Sequence, residues 1–419
     1  MKLNIVAYCL AKKSKFCNYL IMRGGKVKYL NGKVILPEEL IQQIQNYAEG
    51  IYVYIPKRDT VKSKWGDRTN YRSEMDLRNK NIYDKYLEGV MIPRIADCYH
   101  LSLQSVRRIV LVKKREMEPV VIMIKELMKE WNIECVPCQI YHSAWEINEF
   151  YVLKVYENPT VLQRNMNMMQ ILHKVGIPVP EIIQLPDGRE FFEKEGVYYL
   201  LTTKLKGKNI ADLYAYKDKW FFEFGTILAR LHLGFLECEK SISYWNNSML
   251  EEMKGWVIRD LHKYNPEYLK WEDIESSIHG LEQIYEVLPK QLIHRDVHLG
   301  NFLFDNGTFS GYIDFDLSQS NIRVFDICYF LLGILLKGDN NPVEVDKWYE
   351  VTNQVIKGYH SLIPLSVIEK ESIPCVMKNI ELLFVAYFLG IGDEDSARNA
   401  ADLFSFVLRN EVKIQKAIK

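Results

Sequence analysis

The feature that most restricts this chain is a bunch of polar groups set between apolar flanks. It reads His294-Arg295-Asp296-Val297-His298-Leu299-Gly300-Asn301, followed at short range by Ile313-Asp314-Phe315-Asp316. Between the two, Phe302-Leu303-Phe304 and Tyr312-Ile313 read as hairpin arms. Asn306-Gly307 is the turn, because that dipeptide supplies the left-handed backbone a two-residue hairpin loop needs. Folded this way, the chain brings a carboxylate, an amide five residues later and a second carboxylate onto adjacent loops. Phosphoryl transfer needs such parts: a carboxylate to accept the proton of an attacking hydroxyl, and hard oxygens to hold a divalent ion beside phosphates. The plainer alternative is an ordinary hairpin with capping aspartates, and the density of polar groups between apolar flanks argues against it. A His–Asp pair also suggests a hydrolase, but neither a nucleophile elbow nor zinc-type histidine spacing accompanies it.

The stretch resembles the aminoglycoside phosphotransferase and choline kinase-like branch of the protein-kinase fold, over about residues 120–419. Leu228-Ala229-Arg230-Leu231-His232 and Phe325-Asp326-Ile327 extend the resemblance. It implies an α+β, bilobal fold with a small β-rich lobe at 116–205 and a large helical lobe at 206–419. It also implies ATP or GTP as co-substrate, Mg²⁺, and a small hydroxylated acceptor such as an aminoglycoside, a choline-like alcohol or an amino sugar. Carried over by position, Asp296 is the catalytic base, and Asn301 and Asp314 are the metal ligands. Asp316 is an extra acid grouped with the metal ligands, and His298 stands behind the base. His294 and Asp326 orient the catalytic loop. Tyr151-Val152-Leu153-Lys154-Val155 looks like the strand that presents a lysine to the phosphates. A lone lysine in a strand is usually just solvated, but this one precedes a helix and a hinge-like strand. In that strand Thr203 and Leu205, ahead of Gly207, are expected to meet the purine.

Two features depart from the family pattern. No Asp or Glu occurs from Pro159 through Gly176, and Asn165 stands where the family places the glutamate that pairs with the lysine. The expected phosphate loop, Tyr141-His142-Ser143-Ala144-Trp145, has no glycine. Leu162, Met166, Met169 and Leu172 nevertheless form a stripe at helical spacing, which predicts a sound helix over 160–175.

The front of the chain has a different character. Residues 1–115 carry 23 Lys/Arg against 10 Asp/Glu, a balance of +13, whereas the remainder carries 31 against 44, or −13, within a chain of zero net charge. A basic front makes a polyanion its candidate partner. Pro93, Ile95, Ala96 and Tyr99 mark a short helix, and His100-Leu101-Ser102 a turn. A second helix from Leu103 to about Lys114 turns Val106, Ile109 and Val110 inward and keeps Gln104, Ser105, Arg107, Arg108 and Lys113 on or near the exposed side. That is a helix-turn-helix layout, although many helical hairpins carry outward Arg and Lys for solubility alone. Together with Ile35-Leu36-Pro37-Glu38-Glu39-Leu40, Tyr52-Val53-Tyr54-Ile55-Pro56 and Tyr86-Leu87-Glu88-Gly89, the segment 26–115 resembles Mor-type transcription activators. The resemblance implies binding to double-stranded DNA, with a homodimer as a candidate assembly. Because such proteins begin near the position of Met22, residues 1–25 are expected to be an extension and Met22 the natural start.

At 419 residues the chain is long enough for two or three folding units. Eight cysteines show no framework spacing, so a reducing cytoplasm is the expected compartment. Cys135 and Cys138 form a single CxxC without a second pair, which argues for neither a metal nor a redox site. The apolar run Ile327–Leu336 is about half a bilayer span and predicts a buried helix, with no membrane partner. Two functions follow: a small-molecule kinase fused to a DNA-binding module, or a regulator whose kinase-like body senses a nucleotide or metabolite without turnover. The missing glutamate favours the second, and the complete Asp296, Asn301 and Asp314 set favours the first.

Overall fold

The computed structural model describes residues 75, 78–83, 85, 86, 89–141, 143–210, 219–242, 247–335 and 345–419. The runs 35–40 and 52–56, which carry part of the resemblance of the front segment, and the expected start at Met22 lie outside the described residues. Two compact units divide the chain, residues 23–126 and residues 127–419 together with 1–22.

In the first unit, helix α1 (Ile92–Tyr99) ends at His100, whose left-handed backbone (φ 50°) turns the chain. Helix α2 (Leu103–Met128) starts as expected, with the Ser102 hydroxyl accepting the Ser105 N–H at 3.1 Å. Ile82, Ile95, Ala96, Val106 and Val110 make a small core. Cys98, on α1, is exposed. The helix expected to end near Lys114 continues to Met128. Pro119 lies inside α2, and Lys129–Trp131 is a 3-10 turn. The buried positions explain the continuity: Val106 and Ile124 are about five turns apart and so share a face, as do Val110 and Met128. This continuous helix runs through residue 115, where a domain boundary was expected.

The second unit opens with a five-stranded antiparallel sheet in the order β1-β2-β3-β5-β4. Its strands are β1 (Pro137–Tyr141), β2 (Ala144–Ile147), β3 (Tyr151–Tyr156), β4 (Phe192–Lys194) and β5 (Val197–Thr203). The strands β2 and β4, too short to show an alternation, are additions to the three runs legible in sequence. Between β3 and β4 comes α3 (Pro159–Lys174). Asn158 caps it, accepting the Thr160 and Val161 N–H groups at 2.9 and 3.4 Å, with Pro159 in the first turn. Its predicted stripe of Leu162, Met166, Met169 and Leu172 is buried.

The helical lobe begins with α4 (Lys219–Glu239), followed by α5 (Met249–Glu252), a π-turn at Met253–Val257, α6 (Ile258–Tyr264) and α7 (Trp271–Ile284). Strands β6 (Lys290–Ile293), β7 (Phe302–Asp305), β8 (Thr308–Tyr312) and β9 (Gln319–Ile322) come next. Helices α8 (Val324–Leu335), α9 (Val345–Leu362), α10 (Val367–Ile391) and α11 (Glu394–Ile418) complete the lobe. Helix α8, the predicted buried run, is almost entirely inside. Among the described residues α10 alone is long and apolar enough to cross a membrane, yet 72% of its apolar window is buried by the surrounding helices.

Helices α4 and α9 approach backbone to backbone. A Cβ at Gly225 would stand 2.0 Å from the Val355 carbonyl oxygen, and one at Gly358 would stand 2.0 Å from that of Phe222. Neither obstacle is a side chain that can rotate away. Gly225→Ala is therefore expected to destabilise the protein by about 2 kcal/mol. In a thermal melt this is a fall of about 5 °C; an unchanged midpoint would contradict the close packing.

Candidate active site

Strand register brings the motif together. Strand β6 pairs antiparallel with β9, with Ile293 opposite Gln319, so the loop that leaves β6 at His294 and the loop that enters β9 share one end of the ribbon. Strand β7 pairs with β8, with Phe302 opposite Tyr312, which sets Asn301 beside Ile313. The Ile313 N–H donates to the Asn301 carbonyl oxygen at 3.1 Å and closes the arrangement. The turn is the one expected, with Asn306 and Gly307 at φ 47° and 78°.

Asp296 is buried, and both of its oxygens are held. Asn301 Nδ2 donates to Oδ2 at 3.2 Å and to the Asp296 backbone carbonyl at 2.8 Å, while the Tyr329 hydroxyl donates to Oδ1 at 3.2 Å. His298 Nδ1 accepts the Gly300 N–H at 3.0 Å, which leaves the proton on Nε2, 3.6 Å from Asp296 Oδ1. His294 does not reach toward solvent. Its Nδ1 accepts the Asp296 N–H at 3.3 Å and its Nε2 faces the Ile313 carbonyl oxygen at 3.2 Å. Burial lowers its pKa, against the opposing pull of Asp326, Asp296 and Asp314, so the ring is a neutral brace for the loop. The loop itself hangs on Asp326, whose oxygens accept the His294 and Arg295 N–H groups at 2.8 Å each. His232 Nε2 lies 3.0 Å from the same carboxylate, and His232 Nδ1 is 2.7 Å from the Tyr359 hydroxyl.

On the facing strand β3, Lys154 Nζ lies 3.2 Å from Asp314 Oδ1 and 3.5 Å from Asp316 Oδ1. Asp316 also receives the Tyr156 hydroxyl at 3.4 Å and the Asn165 amide. Burial pushes its carboxyl up to about 7, while the Lys154 ammonium at 3.5 Å favours the ionised form. Arg295 and Asp314 both take left-handed backbone, at φ 63° and 70°, a costly conformation of the kind that clusters at functional sites. The expected phosphate loop is the turn between β1 and β2. Burial first, and then the charge of Asp314, push the Tyr141 phenol up, so the end of β1 feels the acid loop.

The structure thus brings Asp296, His294, His298, Asn301, Asp314, Asp316 and Lys154 into one region. At the hinge, Thr203 spends its N–H on the Glu181 carbonyl at 2.8 Å, and its hydroxyl accepts the Glu181 N–H at 2.9 Å. Lys204 gives its N–H to Phe150 at 2.7 Å, and Leu205 follows, half-buried. Gln104, Arg107 and Arg108 are exposed on α2, with Ser105 and Lys113 half-buried; these five are in the other unit.

Three contacts escaped the sequence reading. Tyr329 lies one helical turn beyond Asp326, a spacing that could have placed both on the loop-facing side of α8. Tyr156 lies two residues beyond Lys154, on the same face of β3. Glu252 accepts from Arg295 Nη2 at 2.7 Å, although its Oε1 is buried without a partner.

A divalent ion is tested by the oxygens available. Asn301 Oδ1 is buried and has no hydrogen-bond partner, while the Asn301 backbone carbonyl accepts the N–H of Ile313, the residue preceding Asp314. Among the described residues no group of three or more His, Cys, Asp or Glu gathers around a point. One amide oxygen and one carboxylate is a set that suits Mg²⁺, which keeps several waters.

Comparison with known proteins agrees with this geometry. An 85-residue stretch is 39% identical to uncharacterized protein YraL of Bacillus subtilis, covering 20% of this chain and 98% of that protein. Homoserine kinase of Polaromonas naphthalenivorans is 24% identical over 243 residues, 54% of this chain and 71% of the relative. Among solved structures, amicoumacin kinase hAmiN in complex with AMP-PNP, Ca²⁺ and Ami superposes with a TM-score of 0.53 at 17% identity, covering 71% of this chain and 94% of the other. Residues 141–359, more than half of the chain, match the phosphotransferase enzyme family. The chain belongs to that family and is a small-molecule kinase with the bilobal, protein-kinase-like fold.

Proposed function

We propose that this site moves the γ-phosphate of ATP or GTP to a hydroxyl of a small amino alcohol, the class that includes homoserine, choline and the aminoglycosides. One observation carries the reading: Asp296 is fixed from both sides while the neighbouring Asn301 Oδ1 stands buried and unpartnered. Asp296 takes the proton of the acceptor hydroxyl, and the donors on its two oxygens fix its direction. Lys154 lies against the acid loop from β3, where an ammonium meets nucleotide phosphates. Asn301 and Asp314 would hold Mg²⁺, which when bound neutralises charge on the transferring phosphate. Leu205 is the hinge residue offered to the purine, since the N–H of Thr203 is spent on Glu181. His294, His298 and Asp326 keep the loop in register. The similarity to homoserine kinase and to amicoumacin kinase supports a hydroxylated, amine-bearing acceptor.

The test is transfer of label from γ-labelled ATP and GTP, by the full chain, to a panel of homoserine, choline, amicoumacin and aminoglycosides. A labelled product is expected from at least one acceptor, abolished by EDTA and restored by Mg²⁺. If the wild type is no faster than Asp296→Ala across the panel, the non-catalytic, nucleotide-sensing reading replaces this one. In the other unit, the exposed Gln104, Arg107 and Arg108 support reading α1 and α2 as a polyanion-binding pair, separate from catalysis.

A further inference from the structure

Helix α3 has no acid to tether Lys154: its sequence contains neither Asp nor Glu, and the buried Asn165 meets Asp316 and Tyr156 instead. We propose that Asp316 supplies this anchoring charge from the acid loop, and that Asn165 and Tyr156 hold its carboxylate on the lysine rather than on a metal ion. This rests on the phosphotransferase reading and assigns a positioning role within it.

Three donors from the small lobe meet at one oxygen. Asp316 Oδ1 lies 3.5 Å from Lys154 Nζ and 3.4 Å from the Tyr156 hydroxyl, and it accepts the Asn165 amide. Asn165 and Tyr156 are themselves 3.4 Å apart, so the donors form a connected cradle built from β3 and α3. An oxygen filled in this way has little capacity left for a cation, whereas Asn301 Oδ1 has all of its own. The cradle also accounts for the amide at 165. With a carboxylate already arriving from the loop, a second acid on α3 would face a like charge, whereas an amide donates a hydrogen bond to it. The lysine–acid pair is thus retained with its acidic partner moved from the helix to the loop. Lys154 lies between two loop carboxylates, Asp314 at 3.2 Å and Asp316.

The experiment is a four-member cycle in the full chain: wild type, Asp316→Asn, Asn165→Asp and the double exchange. ATP affinity is measured by calorimetry in EDTA, and the Mg²⁺ concentration for half-maximal activity is measured separately. Asp316→Asn is expected to weaken metal-free ATP binding by about tenfold or more, and the double exchange to recover it to within about threefold, because one acid–amide pair and its charge are restored. Asn165→Asp alone, with two acids face to face, is expected to weaken binding. The Mg²⁺ requirement of Asp316→Asn should change less than its metal-free ATP affinity, since Asp316 gives the ion no oxygen and is coupled to Asp314 only through the lysine they share. If Asp316→Asn instead leaves metal-free affinity unchanged, the proposal is overturned, and an accompanying rise in the Mg²⁺ requirement would make Asp316 a metal ligand. A double exchange that melts like wild type but binds ATP as weakly as Asp316→Asn also overturns it. Should Asp316→Asn fail to fold, the double exchange alone decides, because it keeps the charge and the hydrogen bond. A wild type that binds no ATP at all overturns the phosphotransferase reading itself, an outcome distinct from the others.

Discussion

Asp296→Asn is expected to fold as the wild type does, bind nucleotide as the wild type does, and turn over about a thousandfold more slowly, within the range removed by deleting a general base. The exchange is nearly isosteric: the Tyr329 hydroxyl can still donate to the amide oxygen, and Asn301 Nδ2, which loses its 3.2 Å bond to the side chain, keeps the 2.8 Å bond to the backbone carbonyl of residue 296 that holds the loop. What is lost is the lone pair that takes the hydroxyl proton. A thousandfold is about 4 kcal/mol of activation free energy, which is more than one ordinary hydrogen bond supplies. The loss should fall on kcat and not on nucleotide affinity, because Asp296 is engaged by Asn301, Tyr329 and His298, while Lys154 meets Asp314 and Asp316. Steady-state kinetics with the best acceptor, together with a melting curve, check it. A kcat within tenfold of wild type would remove Asp296 from the role of base. Tyr329→Phe offers a graded comparison: it frees one oxygen of Asp296 without touching its charge, so its effect should be much smaller.

How much of this site was legible in the sequence depended on whether its parts were local. Asp296, Asn301 and Asp314 are joined by a short hairpin whose Asn306-Gly307 turn is a strong local signal, so their convergence could be expected from spacing alone. The helix α3 was legible for the same reason, through its apolar stripe. The absence of an acid on α3 was also visible, but not its consequence. Asp316 and Asn165 are 151 residues apart, and nothing local to either records the other. Tyr329 was missed because an aromatic residue in a fully apolar helix reads as core, and it is core apart from its hydroxyl. The full length of α2 was not legible, and the expected end near Lys114 came too early. An interior proline costs a helix roughly 3 kcal/mol, and a buried stripe that keeps its phase across Pro119 opposes that cost. At the hinge, the pattern correctly ended a strand at Thr203, but only the fold shows that the N–H of Thr203 is claimed by Glu181. Local chemistry was readable wherever a turn or a period fixed the neighbours; contacts made across lobes were not.

The largest loss of stability is expected at Asp326, a residue that the sequence marked only as architectural. Its carboxylate is completely buried and receives the backbone N–H groups of His294 and Arg295, with His232 Nε2 3.0 Å away. Asp326→Ala would leave these groups facing a cavity, with no water shell to replace the lost acceptor. Removing one partner from a buried, charged network of this kind costs about 3–5 kcal/mol. Asp326→Asn should be milder but still damaging, since one oxygen becomes an NH₂ that opposes a donor. The damage would not be confined to stability. Arg295 is held in left-handed backbone at φ 63°, and the two N–H bonds to Asp326 are what oppose that strain. Releasing them would let the loop relax and swing Asp296 away from Asn301 and Tyr329. Chemical denaturation of the two variants should therefore show a large loss for Ala and a smaller one for Asn. Whatever folded Asp326→Asn remains should lose kcat while keeping most of its ATP affinity, because Lys154 sits on a different strand and is anchored by Asp314 and Asp316. Equal stabilities for the wild type and Asp326→Ala would mean that the loop is held by something other than this carboxylate, and the account of how Asp296 is aimed would then fail with it.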